Sequence, residues 1–240
     1  MKSTLLLFIS FFALLSCDRE PVMIKSGIET KVFGNLTDYH DTPISNLKIK
    51  VGEFKLTTTG SYIVSYDNYE FIDWADSTYT NEKGDYNFTF KTSGKGNFYR
   101  LFVGEYRKPN EPKDYSEPIV IDITKSAHDM KYIGSQFEFN SRNMLKLYPC
   151  YITFKINNVG MFPLGLTSQF TDYSDLSNFN GNGTFERTIY IQRYDKEIVT
   201  LSRRKNNILQ TAKYELPASN VETATYQTII VEEADFKDTQ

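Results

Sequence analysis

The sequence predicts an all-β protein of two tandem antiparallel β-sandwiches, and three observations predict it. Aromatic residues are abundant, 17 Tyr and 18 Phe beside one Trp, and such side chains fit a pleated, half-buried surface. Apolar residues recur at every second position in short runs broken by Gly, Pro, Asn and Asp, which is the pattern of strands and turns. Beyond the first sixteen residues no long run at helical period with caps occurs. A chain of 240 residues is long enough for two ordinary domains.

Residues 1–16 stand apart. Lys2 gives a short positive start, and Leu5 to Leu15 form an apolar core near the length of an export signal and short of the roughly 20 residues that span a bilayer. Leu14-Leu15-Ser16-Cys17 resembles the lipobox of bacterial lipoproteins. The resemblance implies that the leader is removed before Cys17, that Cys17 carries the lipid, and that the mature protein stays on its membrane. Several acyl chains would hold it there, since each buried CH₂ contributes about 0.8 kcal/mol and one chain alone holds only marginally. Residues 17–28 read as a polar tether with Pro21 and Gly27, whose acids Asp18 and Glu20 suit either a sorting signal or a solvated linker.

The first domain is expected over residues 29–142. Val32, Gly34 and Leu36 share one strand face, and Leu47, Ile49 and Val51 another. Thr80 to Asp85 is a turn with Gly84 at its tight position, leading into alternating Tyr86, Phe88 and Phe90. Phe98–Val103 and Ile119–Ile123 are further strands, and Arg107–Glu117 is a polar loop. The order Val-x-Gly-x-Leu-x-Asp, Pro-Ile, Leu-x-Ile-x-Val and Thr-x-x-x-Gly-x-Tyr-x-Phe resembles the carboxypeptidase regulatory-like domain. That resemblance implies a transthyretin-like Greek-key sandwich acting as a non-catalytic accessory.

The chain departs from that pattern by a long insertion, Glu53 to Tyr79. It holds the single tryptophan, Trp74, with Tyr62, Tyr66 and Tyr69 and the acids Asp67, Glu70, Asp73 and Asp76. Tyr66, Tyr69, Asp73, Trp74 and Asp76 are the candidate ligand-binding residues. Sugar rings stack on aromatic faces while their hydroxyls bond to carboxylates; the competing reading is an extra hairpin whose aromatics complete the core. The acids lack the Asp-x-Asp-x-Asp-Gly spacing of a calcium loop, and His40 and His128 share no motif. No metal or other cofactor is expected.

The second domain, residues 143–236, reads as immunoglobulin-like. Cys150, Ile152, Phe154 and Ile156 alternate onto one strand face, so Cys150 is expected to be a buried structural thiol. Acylation of Cys17 would leave Cys150 without a partner, which excludes a disulfide framework. An irregular stretch, Gly160–Gly183, ends in the turn Asn180-Gly181-Asn182-Gly183. Strands follow at Thr184–Arg193, Glu197–Ser202, Ile208–Leu216 and Thr225–Val231. The basic cluster Arg203-Arg204-Lys205 reads as a solvated hairpin end beside the tip Asn206-Asn207. Three Asn-x-Thr matches, at Asn35, Asn87 and Asn182, are read as coincidence.

These features narrow the function. A formal charge of -3, one unit more negative without Lys2, does not suit nucleic acid. Neither histidine sits in a triad-like setting, so an enzyme is not expected. The expectation is a lipid-anchored module of the cell envelope, in the outer membrane of a Gram-negative bacterium, that binds or assembles with a membrane or surface protein. A glycan is the alternative ligand, bound through the aromatic and acidic insertion.

Overall fold

The computed structural model describes residues 21–60, 64–105, 114–116, 118–124, 130–171 and 178–239. The leader, Cys17, the tether acids, Tyr62, His128 and most of the Arg107–Glu117 loop lie outside the described residues. The described residues fall into two compact units. One is drawn from within Met1–Thr37, Thr42–Glu105 and Pro118–Arg142, the other from within Asp38–Asp41, Tyr106–Glu117 and Asn143–Gln240. Both are all-β.

The first unit holds β1 (Glu29–Asn35), β2 (Lys48–Gly60), β3 (Ser65–Tyr79), β4 (Asp85–Lys91), β5 (Phe98–Val103), β6 (Ile119–Asp122) and β7 (Gln136–Glu138). They form a three-stranded sheet, β4-β1-β7, and a four-stranded sheet, β3-β2-β5-β6. Alternation decides what is buried. Val32 and Leu36 from one sheet, and Ile49, Val51, Tyr99, Leu101 and Val103 from the other, are fully buried. Phe90 stacks on Tyr99 at 5.1 Å between centroids, tying β4 to β5 across the sandwich. Gly34 is where the chain cannot carry a side chain, because a Cβ there would lie 1.8 Å from the Phe139 carbonyl oxygen. Gly84 closes its turn at φ +77°, and the Asn81 side-chain oxygen accepts the amides of Lys83 and Asp85, both at 2.9 Å.

The second unit holds β8 (Tyr148–Ile156), β9 (Gly165–Thr167), β10 (Gly183–Ile191), β11 (Glu197–Lys205), β12 (Ile208–Leu216), β13 (Thr225–Val231) and β14 (Lys237–Asp238). The sheets are β10-β8-β13 and β14-β12-β11-β9. One core joins them, built from Ile152, Phe154, Ile189, Val199, Leu201 and Val231 among others. Cys150 is a free, fully buried thiol in that core, and burial raises its pKa. The β11–β12 turn is a two-residue loop with positive φ at both Asn206 and Asn207, which the twist of a tight hairpin requires.

Three findings differ from the sequence reading. Two pairings are parallel, β7 on β1 and β13 on β8; a parallel neighbour needs a long connection in place of a tight turn, and each of these closing strands comes from a remote part of the chain. The irregular stretch contains a short strand, β9, paired with β11. Arg203 is not part of a solvated end. It is 4% exposed, its guanidinium donates to both Glu233 carboxylate oxygens at 2.7 and 2.8 Å, and it covers the Phe236 ring at 4.1 Å. Lys205 Nζ joins the same carboxylate at 2.8 Å. The cluster is a clasp that holds the 3₁₀ turn Glu233–Asp235 against β11.

Candidate functional site

The insertion is neither a loop nor a separate hairpin. It extends β2 to 13 residues and returns as the 15-residue β3, which lies at the edge of its sheet. β2 pairs with β5 only from Ile49 to Phe54, so beyond Phe54 the two long strands pair with each other alone. A two-stranded ribbon is marginal by itself. Side chains on the outer face of the sheet support this one.

That outer face follows from the register. Tyr99, Leu101 and Val103 of β5 point into the core, so Phe98, Arg100 and Phe102 point out. Lys50, Gly52, Phe54 and Leu56 of β2 share that side, and their β3 partners Ser77, Trp74, Phe71 and Tyr69 complete it. Two register shifts shape β3: the one between Glu53 and Phe54 brings Trp74 and Phe71 onto one face although they are three residues apart, and the one between Val51 and Gly52 does the same for Ser77 and Trp74. Without these bulges, strict alternation would separate them.

The rings pack on one another. Centroids lie 5.4 Å apart for Phe54 and Phe71, 5.0 Å for Phe71 and Trp74, and 5.2 Å for Trp74 and Phe102. Tyr69 meets Phe98 edge-on at 5.0 Å. Cations fix both ends: Lys50 Nζ sits 4.0 Å from the Trp74 ring and the Arg100 guanidinium 4.0 Å from Tyr69. Each such contact is worth about 0.5–1 kcal/mol at a partly exposed site. Lys50 also pairs with Glu105 at 2.8 Å, with Lys48 at 3.2 Å from the same oxygen; these two ammonium groups, Lys50 first, hold the Glu105 carboxyl below its ordinary pKa. Arg100 is held by Asp122 at 2.6 Å. Phe54, Leu56 and Phe98 are buried by this arrangement, yet Phe71 stays 46% and Trp74 43% exposed.

The five candidate residues divide between the two sides of the sheet. Tyr69 and Trp74 are on the aromatic face. Asp73 and Asp76 pair with Glu53 and Val51 and so face the other side, as does Tyr66, which pairs with Thr59 near the ribbon end and is 69% exposed. Ring stacking and carboxylate contact therefore do not converge as the composition suggests. The carboxylates have local roles, Asp73 accepting the Trp74 amide at 2.8 Å and Asp76 the Ser77 amide at 2.7 Å. Nor do the aromatics complete the sandwich core. Sequence reasoning missed Lys50, Phe54, Phe71, Arg100 and Phe102. The available signal was β5, which is apolar at both parities and so reads as covered on both faces.

Among the described residues no group of three or more His, Cys, Asp or Glu converges as a metal site. His40 lies in a turn, its amide donating to Asp38 Oδ1 at 2.9 Å.

No family model matches the chain, and no curated protein does. Solved structures with detectable similarity include the TIE protein of Bacillus anthracis, at 11% identity and TM-score 0.31, over 85% of this chain and 33% of that one. A Streptococcal ancillary pilin is similar at 10% identity and TM-score 0.35, over 85% and 62%. A minor pilin of Streptococcus agalactiae is similar at 8% identity and TM-score 0.35, over 88% and 97%. The chain thus spans a third of the first of these and under two thirds of the second.

Proposed function

We propose that the protein is a non-catalytic lipoprotein of the cell envelope, anchored through lipid on Cys17 in the outer membrane of a Gram-negative bacterium. It docks a membrane or surface protein on the aromatic face of its β2–β3–β5 sheet. The observation that carries the docking site is the exposure of Phe71 and Trp74 on a bed of already buried rings. Trp, Tyr and Arg dominate binding energy at protein interfaces, and Lys50 over Trp74, with Phe54 against Phe71 and Phe102 against Trp74, holds these rings in place before a partner arrives, which lowers the ordering cost of binding.

On the aromatic face Lys50 is paired with Glu105 and Arg100 with Asp122, while Glu70, Asp73 and Asp76 of β3 lie on the opposite side, so what this face offers a partner is chiefly apolar and the complementary surface is an apolar patch. A second copy pairing along β3 would set these acids against each other. Glycan stacking at this segment is the weaker reading, since the packed rings Tyr69 and Trp74 face away from Asp73 and Asp76.

The test is a pull-down of full-length protein crosslinked on intact cells, comparing wild type with F71A/W74A. A stoichiometric envelope protein should accompany wild type and fall about tenfold in the variant, with the variant still folded. Equal recovery from both proteins contradicts the docking site. A Cys17→Ala chain that still partitions with the membrane contradicts the anchor.

A further inference from the structure

The second unit carries a different kind of surface on the solvent side of the β10-β8-β13 sheet. Register aligns Thr188, Tyr151 and Tyr226 in one row across the three strands, and Glu186, Thr153 and Thr228 in the next. These six side chains line an open groove of about 570 Å³, within the size range of small-ligand sites. Tyr151 and Tyr226 lie side by side, 5.5 Å between centroids and tilted by 42°. Tyr226 is 75% exposed, so its ring is open to solvent.

We propose that this groove binds a neutral saccharide. The chemistry of the lining selects it. Two adjacent phenol rings offer apolar faces for the C–H faces of pyranose rings. The hydroxyls of Thr153, Thr188 and Thr228 can both donate and accept, and the Glu186 carboxylate accepts from sugar hydroxyls. Arg187 borders the groove, but its guanidinium is turned to the Phe179 ring at 4.8 Å and to the Glu186 carbonyl oxygen at 2.7 Å. Lys155 falls in the following row, outside the lining. With a carboxylate as its only charged group aimed at the ligand, the groove disfavours phosphates and other anions. Its threonine rows offer an apolar peptide no pocket to fill.

The test uses the full-length protein and calorimetry against neutral tetrasaccharides of glucose, galactose and mannose in α and β linkage. At least one should bind with a Kd of about 1 mM or tighter. Y226A should weaken it by about tenfold or more, while Y226F, which keeps the ring, should stay within about threefold. W74A, in the other unit, should leave it unchanged. Binding by none of the sugars overturns the proposal. So does equal binding by Y226A, or loss through W74A in place of Y226A, which would move the sugar to the β3 face. Since the β3 docking test reads a protein partner, either proposal can fail alone.

Discussion

Single residues in this protein carry charge or bulk into places that define what surrounds them. Arg203 is the clearest case, a buried guanidinium answered by one carboxylate. Arg203 and Lys205 hold the Glu233 carboxyl far below its ordinary value. A depressed pKa contributes stability that is complete above the unfolded value of about 4.3 and is lost as pH falls through the folded value. We therefore expect Glu233→Ala to lower stability by about 1–2 kcal/mol at pH 7, discounted for the partial exposure of Glu233. The gap between variant and wild type should shrink in denaturant melts as pH is lowered from 6 toward 2. Cys150 predicts the reverse of reactivity. Buried, with a raised pKa, it should resist iodoacetamide in the native protein and be alkylated only on unfolding, as peptide mass spectrometry would read.

At the scale of elements, the β2–β3 hairpin and the β1 strand make opposite demands. Gly34→Ala forces a Cβ into the Phe139 carbonyl and should cost about 2–4 kcal/mol, or prevent folding, by thermal melt. Trp74→Ala removes a ring already 43% exposed and should cost no more than about 1–1.5 kcal/mol, with the unfolding transition still cooperative. Much of this level was legible in the sequence. Strict alternation marked the buried faces of Val32 to Leu36 and Cys150 to Ile156, and turn residues marked Gly84 and Asn206-Asn207. The hairpin was not legible as one element. Its two bulges interrupt period two between Phe71 and Asp76, and no local signal says that the strand after Val51 continues to Gly60. Simple alternation already separates Trp74 from its neighbour Asp73, but the division of Trp74 from Asp76 depends on the shift between Val51 and Gly52, so composition grouped what geometry separates. Arg203 was misread for a related reason, its partner Glu233 lying thirty residues away.

For the whole molecule, each unit has its own core and its own exposed aromatic surface, so the two proposed sites are separable. One surface is the apolar, aromatic face proposed for a protein; the other is the hydroxyl-lined groove proposed for a sugar. The lipid proposed on Cys17 would confine both surfaces to a membrane. The central claim is that the β3 face is where a protein docks. The most direct measurement is site-specific photocrosslinking in living cells from a probe at Tyr79, on the aromatic side, against the same probe at Asp73, on the other side. The account predicts a single envelope-protein adduct from Tyr79, abolished by F71A, with little from Asp73. Equal adducts from both positions, or an adduct from Tyr79 that persists in F71A, would contradict it.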